Sequence, residues 1–428
     1  LALFLLERDR KSGVSSALWI PVTWISISAS RFVSQWLGRD RSENALDQYL
    51  EGSPLDATIF AGLLIAGLGV LLARRRHART FLRANGPLLV FFVYCALSTL
   101  WSDYSLVAFK RWTKTVGDLV MILVVLTDPE PTQALKRFLA LPGFVLIPLS
   151  ILLIRYYPDL GRGYSPWTGE AMNIGVATQK NGLGFICLVF GLGCFWSLLG
   201  ALRREERPLA TGALIAYGAI LVLALWLFSM ANSATSFNCF LIGGGLMVAT
   251  SMRTVARIPA ILHLLVGLLL FAVVYGLILN PKAGLTELAQ RDSTLTGRTD
   301  MWNQLYQMSV NPWFGVGYES FWFGPRLQEI WRTNMHVHQA HNGYLEIFLN
   351  LGWAGVALLG AVMASGYRNV NRALRWDSEA GRIKLAFFVV AVVYNMTEHA
   401  FRPLHPVWIV FLLAITAVPE TSHSKDTS

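Results

Sequence analysis

The sequence predicts an all-α integral membrane protein with about twelve membrane-spanning helices, and three observations support that fold class. Of the 428 residues, 54% are hydrophobic and 14% are charged, whereas an ordinary soluble domain has roughly 25% charged residues. Apolar runs of about 20 residues, the length that a helix needs to cross a ~30 Å hydrocarbon core, recur along the whole chain. The 15 Trp, 13 Tyr and 24 Phe residues fit this class, because aromatic rings concentrate at the membrane–water interface. A large soluble protein would have shorter, amphipathic apolar runs.

Twelve apolar segments are the predicted spans. They lie at 16–37, 56–73, 86–101, 115–127, 138–154, 181–200, 208–229, 235–251, 259–279, 342–364, 384–400 and 403–419. The segment at 115–127 is short, and the one at 138–154 is interrupted by Pro142, Gly143 and Pro148. Such segments are tolerated where the backbone is buried in protein or lines a cavity. All four cysteines lie inside apolar segments without metal-ligand spacing and are predicted to be core residues.

Lys and Arg residues concentrate in alternate loops between these segments. They include Arg8, Arg10, Lys11, Arg74, Arg75, Arg76, Arg79, Arg83, Lys136, Arg137, Arg203, Arg204, Arg207, Arg253, Arg257, Arg368, Arg372, Arg375, Arg382 and Lys384. Because Lys and Arg favour cytoplasmic loops, the pattern predicts cytoplasmic termini and places the long stretch 280–341 on the outer side. Topology therefore explains the net charge of +10, and nucleic acid is not an expected partner.

The chain divides into three predicted parts. Residues 1–279 form an N-terminal transmembrane bundle, 280–341 an outer loop, and 342–428 the C-terminal transmembrane helices with a cytoplasmic tail. The apolar stretch from Leu1 to Leu6 ends abruptly at charged residues and has neither an initiator Met nor a signal-peptide layout. We therefore expect the natural N-terminus to be missing from this sequence.

The outer loop is predicted to be a folded cap over the bundle. A helix is expected from Thr296 to Ser309, ending before Asn311-Pro312. Loops longer than about 15 residues are usually functional or disordered. This one has too many aromatic residues for disorder. They include Trp313, Phe314, Trp322 and Trp331.

Three histidines, His336, His338 and His341, lie where the outer loop returns to the membrane. Their spacing allows a zinc site, but no fourth ligand stands out, and His336 and His338 are better interpreted as hydrogen-bonded surface groups. His341 differs because it lies beside Asn342 at the first turn of a span, at the mouth of the bundle. A neutral imidazole in that position can act as a general base.

Two cations are candidate anion-binding groups. Arg298 begins the predicted loop helix, where a guanidinium and free backbone amides suit a phosphate. Lys180 precedes the apolar run from Leu183 and offers a point charge. Each has a plainer interpretation, since Arg298 can be a solvated residue and Lys180 a side chain that snorkels to the interface.

Glu398 and Arg402 are ionisable residues deep in an apolar region, which makes them functional candidates. At positions i and i+4 of a helix they can equally pair with each other. Taken together, these residues place cations and a potential base at the outer ends of several spans, beneath the large loop. The physical inference is an anionic, phosphorylated ligand carried on a lipid.

Several short motifs follow one another in a fixed order. They are Gln179-Lys180-Asn181-Gly182-Leu183-Gly184, Gly297-Arg298 with Trp302, Asn311-Pro312-Trp313-Phe314-Gly315-Val316-Gly317, His341-Asn342-Gly343-Tyr344-Leu345, Leu351-Gly352 and Gly355. This order resembles that of the bacterial O-antigen ligase and polysaccharide polymerase superfamily. Leu100-Trp101-Ser102 and Glu398 are similar to weaker features of the family. The resemblance covers roughly residues 86 to 418, and the N-terminal part is closer to exopolysaccharide polymerases of the succinoglycan type.

The resemblance implies a metal-independent, inverting glycosyltransferase with a GT-C-like fold in the bacterial inner membrane, without a cofactor. The donor would be a glycan on an undecaprenyl-diphosphate carrier at the periplasmic side. The acceptor would be a growing glycan chain or lipid A–core, and chain-length regulator proteins are further expected partners. By residue-level carry-over, His341 deprotonates the acceptor hydroxyl, Arg298 holds the leaving diphosphate, and the substrate-binding residues are Lys180, Asn181, Asn342, Glu398 and Arg402.

The sequence departs from the ligase pattern at one place. Ligases of the family usually have an Arg in the span before the last cytoplasmic turn that precedes the loop, whereas the stretch from Met230 to Ser236 has none. Lys180 or Arg402 is expected to supply the second cation, or the carrier is held differently, and a polymerase is favoured. A flippase that moves the lipid carrier is the alternative from another class, but only the segment at 138–154 is broken, whereas transporters often have paired broken helices. A purely structural partner in a polysaccharide assembly complex is a third.

Overall fold

The computed structural model describes residues 2–7, 13–38, 52–164, 169–203, 211–252, 255, 258–275, 294–308, 310–332 and 337–417. Within these residues the α-helices are α1 (Ala2–Glu7), α2 (Trp19–Ala29), α3 (Val33–Trp36), α4 (Pro54–Ala73), α5 (Arg75–Ala84), α6 (Gly86–Ser98), α7 (Ser105–Leu126), α8 (Pro131–Tyr156), α9 (Pro158–Gly161), α10 (Lys180–Leu202), α11 (Thr211–Ala231), α12 (Ala234–Thr250), α13 (Pro259–Val274), α14 (Thr294–Gln307), α15 (Gly324–Arg332), α16 (Gly343–Trp376), α17 (Ser378–Tyr394) and α18 (Pro406–Ile415). The other described elements are two 3₁₀ turns, Ser16–Leu18 and Thr99–Trp101, and an antiparallel hairpin of β1 (Arg162–Tyr164) and β2 (Ala171–Asn173).

The helices confirm an all-α membrane protein. Five of them, α4, α8, α10, α11 and α16, are long and apolar enough to cross a membrane by length and composition. Further apolar helices have 10–17 residues. The count of about twelve spans remains a prediction.

The interior of the bundle is built from mainly apolar helices that are buried on nearly every side. Almost every residue of α17 and α18 and of the middle of α10 is buried. Helices such as α4 lie outside them and expose large apolar side chains, among them Ile65 and Leu72. A helix that is apolar all round belongs either in a core or against lipid, and this bundle contains both kinds.

Two predicted boundaries are wrong in an informative way. Helix α7 begins at Ser105 rather than at 115, so the cations Arg111 and Lys114 lie inside the helix and not in a preceding loop. Helix α8 continues through Pro142 and Pro148, so the predicted interruption is absent. Proline is tolerated in membrane helices where neighbouring groups and local adjustments satisfy the freed backbone groups.

Other spans differ from prediction at their ends. The segment at 16–37 is divided into the helical stretch Ser16–Ala29 and the short α3. The segment at 342–364 is the start of α16, which continues to Trp376 and contains a break at Gly352, where φ is +65°. The predicted loop helix is confirmed as α14, two residues earlier at its start, with Ser309 outside the described residues.

The described part of the outer loop shares a small apolar core with the beginning of α16. Buried side chains of α14, α15 and the connecting loop pack together with residues that follow His341. They include Met301, Leu305, Phe321, Trp322, Leu327, Ile330, Leu345 and Leu349. This second core fixes the loop helices directly above the residues that form the candidate site.

Candidate functional site

His341 lies immediately before α16 in a backbone conformation that few residues adopt. Its φ is +50°, in a region that costs a non-glycine residue about 1–3 kcal/mol. The next residue, Asn342, caps α16, because its Oδ1 accepts the N–H groups of Tyr344 and Leu345 at 3.0 Å each. Its Nδ2 donates to the carbonyl of Met396 at 3.3 Å. Asn342 therefore fixes the chain direction at His341, and a contact of its side chain with substrate stays a prediction.

Three predicted site residues from distant parts of the chain meet at one carboxylate. Nδ2 of Asn181, in the first turn of α10, donates to Oε1 of Glu398 at 2.9 Å. Nδ1 of His341 lies 3.4 Å from Oε2 of the same residue. The side chain of Glu398 is 9% exposed, whereas that of His341 is 26% exposed. The carboxylate is thus enclosed, and the imidazole retains an open side.

The geometry assigns the two ring nitrogens of His341 different roles. A carboxylate accepts hydrogen bonds only, so Nδ1 carries the proton when it bonds to Glu398. The neutral ring then has its lone pair on Nε2, the nitrogen that a general base requires. The amide Nε2 of Gln339 also lies 3.4 Å from Nδ1, but both nitrogens are donors in this tautomer, so the contact is not a hydrogen bond.

The turn between α17 and α18 carries Glu398 to this position. Oδ1 of Asn395 accepts the N–H groups of Ala400 and Phe401 at 2.9 and 3.0 Å, which closes the turn. The carbonyl oxygen of Asn395 accepts the N–H of Gly343 at 2.8 Å. A Cβ at Gly343 would lie 2.1 Å from Oδ1 of Asn395, so the glycine permits the contact.

The far side of the same turn is tied to α7. Leu404 has φ of +61°, and its N–H donates to Oδ2 of Asp118 at 2.9 Å. The other oxygen of Asp118 accepts the indole N–H of Trp24 at 2.8 Å. Asp118 was not among the residues predicted from the sequence, and it fixes the loop that also contains Arg402.

Two of the predicted cations lie at this end of the bundle without an ionic partner in the described part of the chain. Lys180 is the first residue of α10 and is partly buried. Arg402 lies in the turn and is also partly buried. The predicted i, i+4 pair of Arg402 with Glu398 does not form, because α17 ends at Tyr394 and both residues lie in an irregular turn. Both cations are therefore available to an anion.

Arg298 lies in the second turn of α14, because the helix begins at Thr294 and not at Thr296. Its backbone is therefore inside the helix rather than at its free N-terminus, and its side chain lies outside the described part of the structure. Trp302, one helical turn later, donates its indole N–H to the carbonyl of Ala340 at 2.7 Å. That contact brings the helix of Arg298 next to His341.

Sequence reasoning missed a buried charge group behind His341. Nδ1 of His399 lies 3.7 Å from Oε1 of Glu346, and its Nε2 lies 3.9 Å from Oε1 of Glu319. Oε2 of Glu319 lies 3.6 Å from Nη1 of Arg111. Glu346 also accepts the N–H groups of Ala340 and of the Trp322 indole. Arg111 was missed because its charge placed it before the predicted start of the span.

Burial shifts the pKa of two members of this group in opposite directions. Burial raises the pKa of Glu319 above its ordinary 4.5, and the positive charges of Arg111 and Arg402 offset part of the rise. Burial lowers the pKa of His399 well below 6.5, and the positive charge of Arg402 lowers it further. His399 is therefore neutral at physiological pH. The cluster carries fewer formal charges than its composition suggests.

The two glycine-rich motifs of the sequence dock onto each other at the break in α16. The N–H groups of Trp353 and Ala354 donate to the carbonyls of Pro312 and Trp313 at 2.9 and 3.1 Å. On the other side of the break, Val316 and Gly317 donate to the carbonyls of Leu349 and Asn350.

Close approach at the break depends on glycine. A Cβ on Gly352 would lie 2.3 Å from the backbone of Trp313, and one on Gly315 would lie 2.4 Å from that of Asn350. The motifs thus form the joint that supports the half-helix 343–351.

The described residues contain no group of three or more His, Cys, Asp or Glu side chains placed to hold a metal. His336 lies outside the described residues. The ring of His338 is exposed and packs edge-on against Trp331, with centroids 5.1 Å apart. All four cysteines are buried and unpaired, as predicted for core residues.

Comparison with known proteins agrees with the motifs. Residues 176–360, which include Lys180, Arg298 and His341, match the family model described as O-antigen ligase. The chain is also 24% identical over 347 residues to the exopolysaccharide production protein ExoQ of Rhizobium meliloti (strain 1021). That similarity covers 76% of this chain and 75% of the relative. The protein therefore fits the O-antigen ligase and polysaccharide polymerase superfamily that its motifs resemble.

Proposed function

We propose that the protein is a glycosyltransferase that extends a polysaccharide, using a glycan carried on undecaprenyl diphosphate as its donor. The observation that carries this proposal is the position of His341. Its Nδ1 lies 3.4 Å from Glu398, and its side chain is 26% exposed. Lys180 precedes Asn181, which binds the same carboxylate, and Arg402 lies in the turn that carries it. A base next to unpaired cations suits a reaction in which a hydroxyl loses a proton and an anion departs.

Helix ends add to the positive potential of the site. Helices α10, α16 and α18 all begin around the turn that contains Glu398, at Lys180, Gly343 and Pro406. A helix N-terminus carries roughly half a positive charge and favours anions. A diphosphate is the ligand that this combination suits best.

The proposed reaction is a single displacement. Nε2 of His341 takes the proton of the acceptor hydroxyl, and the oxygen attacks the anomeric carbon of the donor sugar. A glycosidic C–O bond forms while the bond from that carbon to the diphosphate oxygen breaks, and the diphosphate leaves with the electron pair. Arg298, Lys180 and Arg402 neutralise the departing charge. Attack opposite the leaving group inverts the anomeric configuration, and the scheme requires no metal ion.

The distribution of Lys and Arg supports a bacterial inner-membrane location with the site on the periplasmic face. In the same orientation, residues 280–341 form a periplasmic cap between the membrane-spanning parts 1–279 and 342–428. Asn342 and Asn181 position the reacting groups in this scheme. Chain-length regulator proteins are candidate partners of such a polymerase.

Polymerisation is favoured over transfer to lipid A–core. The junction between α11 and α12 contains Asn232 and Ser233 and lacks the Arg that ligases have there. The relative's name refers to exopolysaccharide production. Ligation remains the second candidate, because the matching family model is described by that activity.

The test is a reconstitution of the full chain in lipid nanodiscs with an undecaprenyl-diphosphate-linked oligosaccharide. We expect new glycosidic bonds with a glycan acceptor, and loss of that activity in His341→Ala. His338→Ala is the matched control and should stay active, because its exposed ring lies outside the carboxylate cluster. Full activity of His341→Ala would refute the assignment of the base. Transport of the carrier without bond formation would instead support a flippase.

A further inference from the structure

An apolar groove lies on the flank of α16 immediately after the break at Gly352. It has a volume of about 680 Å³. Its residues are Trp313, Phe314, Trp353, Ala354, Val356 and Ala357. The three aromatic side chains are between 51% and 66% exposed, so they form walls that no other described part of the chain covers. The alanines leave an open floor between them.

The charges of α16 place this groove inside the hydrocarbon region. The helix has no charged residue over 347–367, and the exposed Arg368, Arg372 and Arg375 follow this stretch. The uncharged stretch is about 30 Å long at 1.5 Å per residue, which matches the thickness of a bilayer core. The groove at residues 353–357 therefore lies in the half of that region nearer His341.

The half-helix 343–351 connects the groove to the candidate site. The half-helix 343–351 separates Gly352 from His341 by about 13 Å. The ring of Phe348 on this half-helix lies 5.1 Å from that of Trp353 and 6.0 Å from that of Tyr306. Tyr306 belongs to α14, the helix that carries Arg298. An aromatic path thus leads from the helix of the diphosphate-binding residue to the groove.

We propose that this groove binds the hydrocarbon tail of the lipid-linked donor, at the isoprene units nearest the diphosphate. The inference rests on the proposed function, since it concerns the same substrate. A donor whose diphosphate lies beside His341 must send its tail down into the bilayer, and the aromatic path ends in the groove. Methyl-branched isoprene units suit a floor of small residues between aromatic walls. Binding of the tail here would fix the position of the anomeric carbon relative to His341.

The test fills the groove without touching the site. Ala357→Phe places a ring in the floor, and Ala364→Phe is the matched control, because this exposed alanine lies two turns further along α16 and outside the groove. Reconstituted full chain is assayed with the same glycan diphosphate on an undecaprenyl chain or on a short, water-soluble prenyl chain. We expect Ala357→Phe to raise KM for the long-chain donor about tenfold, through loss of buried hydrocarbon contacts. KM for the short-chain donor, and both values in Ala364→Phe, should stay unchanged.

Two results would overturn the proposal. If KM for the long-chain donor in Ala357→Phe equals that in Ala364→Phe and in the wild type, the groove holds bulk lipid only. An equal rise for both donors in Ala357→Phe would mean that the substitution acts on the catalytic site instead.

A binding measurement separates this proposal from the proposed function. Undecaprenyl diphosphate without sugar, with a photoreactive diazirine in its first isoprene unit, should label peptides around Trp353 in the wild type. An excess of unlabelled undecaprenyl diphosphate should suppress the label, and phosphatidylglycerol should not. Suppression by phosphatidylglycerol would contradict the proposal. If peptides around Trp353 are labelled in a protein that forms no glycosidic bond, the polymerase activity is rejected, and the groove remains assigned to the hydrocarbon tail.

Discussion

The side chains of Asn181 and His341 contact the two oxygens of one carboxylate, that of Glu398. The amide nitrogen lies 2.9 Å from Oε1, and the imidazole Nδ1 lies 3.4 Å from Oε2. Because Asn181 fixes one oxygen, the other is aimed at the imidazole. The position of the proposed base therefore depends on a residue in the first turn of α10, far from it in the sequence.

Glu398→Gln should lower kcat by about 10²-fold, the lower end of what general-base catalysis contributes. The glutamine keeps the volume and the contact with Asn181, but it loses the charge that orients and stabilises the imidazole as it takes a proton. KM for the donor should change little. Steady-state kinetics on the reconstituted protein measure both constants. A higher KM for the donor with unchanged kcat would make Glu398 a substrate ligand instead.

Arg298→Lys should lower kcat/KM for the donor about tenfold or more, although the charge is retained. A guanidinium binds two oxygens of a phosphate at once, and an ammonium does not. Lys180→Arg is the matched exchange in the other direction, and it should be tolerated because the proposal requires only a point charge from Lys180. Wild-type kinetics of Arg298→Lys would reduce Arg298 to a structural residue of α14.

Gly343→Ala should destabilise the protein by about 1–3 kcal/mol, the usual range for overpacking. The added Cβ would lie 2.1 Å from Oδ1 of Asn395, and the turn that carries Glu398 would have to move. Gly360→Ala on the same helix is the control. It has nothing within 4 Å of its added Cβ and should gain up to about 1 kcal/mol of helix propensity. Thermal unfolding in detergent would show the two variants on opposite sides of the wild type.

Acid should destabilise the protein through His399. Its pKa is well below 6.5 in the folded state, so below that pH the unfolded chain binds a proton that the folded chain does not. Stability is then lost as pH falls through this range. His399→Gln cannot titrate, so its Tm should fall less than that of the wild type between about pH 7 and about pH 5.

Glu319→Gln provides a control of opposite sign for this pH dependence. The folded-state pKa of Glu319 is raised, so this residue contributes stability that is complete below its ordinary 4.5 and is lost as pH rises. Removing that contribution should make the acid-induced fall in Tm steeper. An identical pH profile in all three proteins would contradict both assignments.

The fold class followed from the sequence because long apolar runs have few other physical solutions. Helix ends were harder to predict. Arg111 and Lys114 suggested a loop, yet they lie inside α7, where the pairing of Arg111 with Glu319 compensates for its burial. The prolines of α8 suggested an interruption, but that helix is continuous. A break is found instead in α16 at Gly352, within a continuous apolar run of the sequence.

The spatial grouping of the candidate residues was predicted in part. Lys180, Asn181, His341, Glu398 and Arg402 lie at one end of the bundle, and the first contact among them, Asn181 with Glu398, joins two separate motifs. The residues that hold them could not be predicted. Asp118 and Asn395 act through backbone N–H groups of a turn, and no local sequence pattern reveals which turn a distant carboxylate or amide will close.

The length of α16 has a consequence for the product. At 34 residues it is about 51 Å long, well beyond the ~30 Å of hydrocarbon that it must cross. Part of the surplus follows Tyr367 and carries Arg368, Arg372 and Arg375. In the proposed function the rest, at the start of the half-helix 343–351, holds His341 on the aqueous side of the hydrocarbon. A hydrophilic sugar polymer assembled there would keep its water shell throughout synthesis, and only the carrier's tail would need to remain dissolved in lipid.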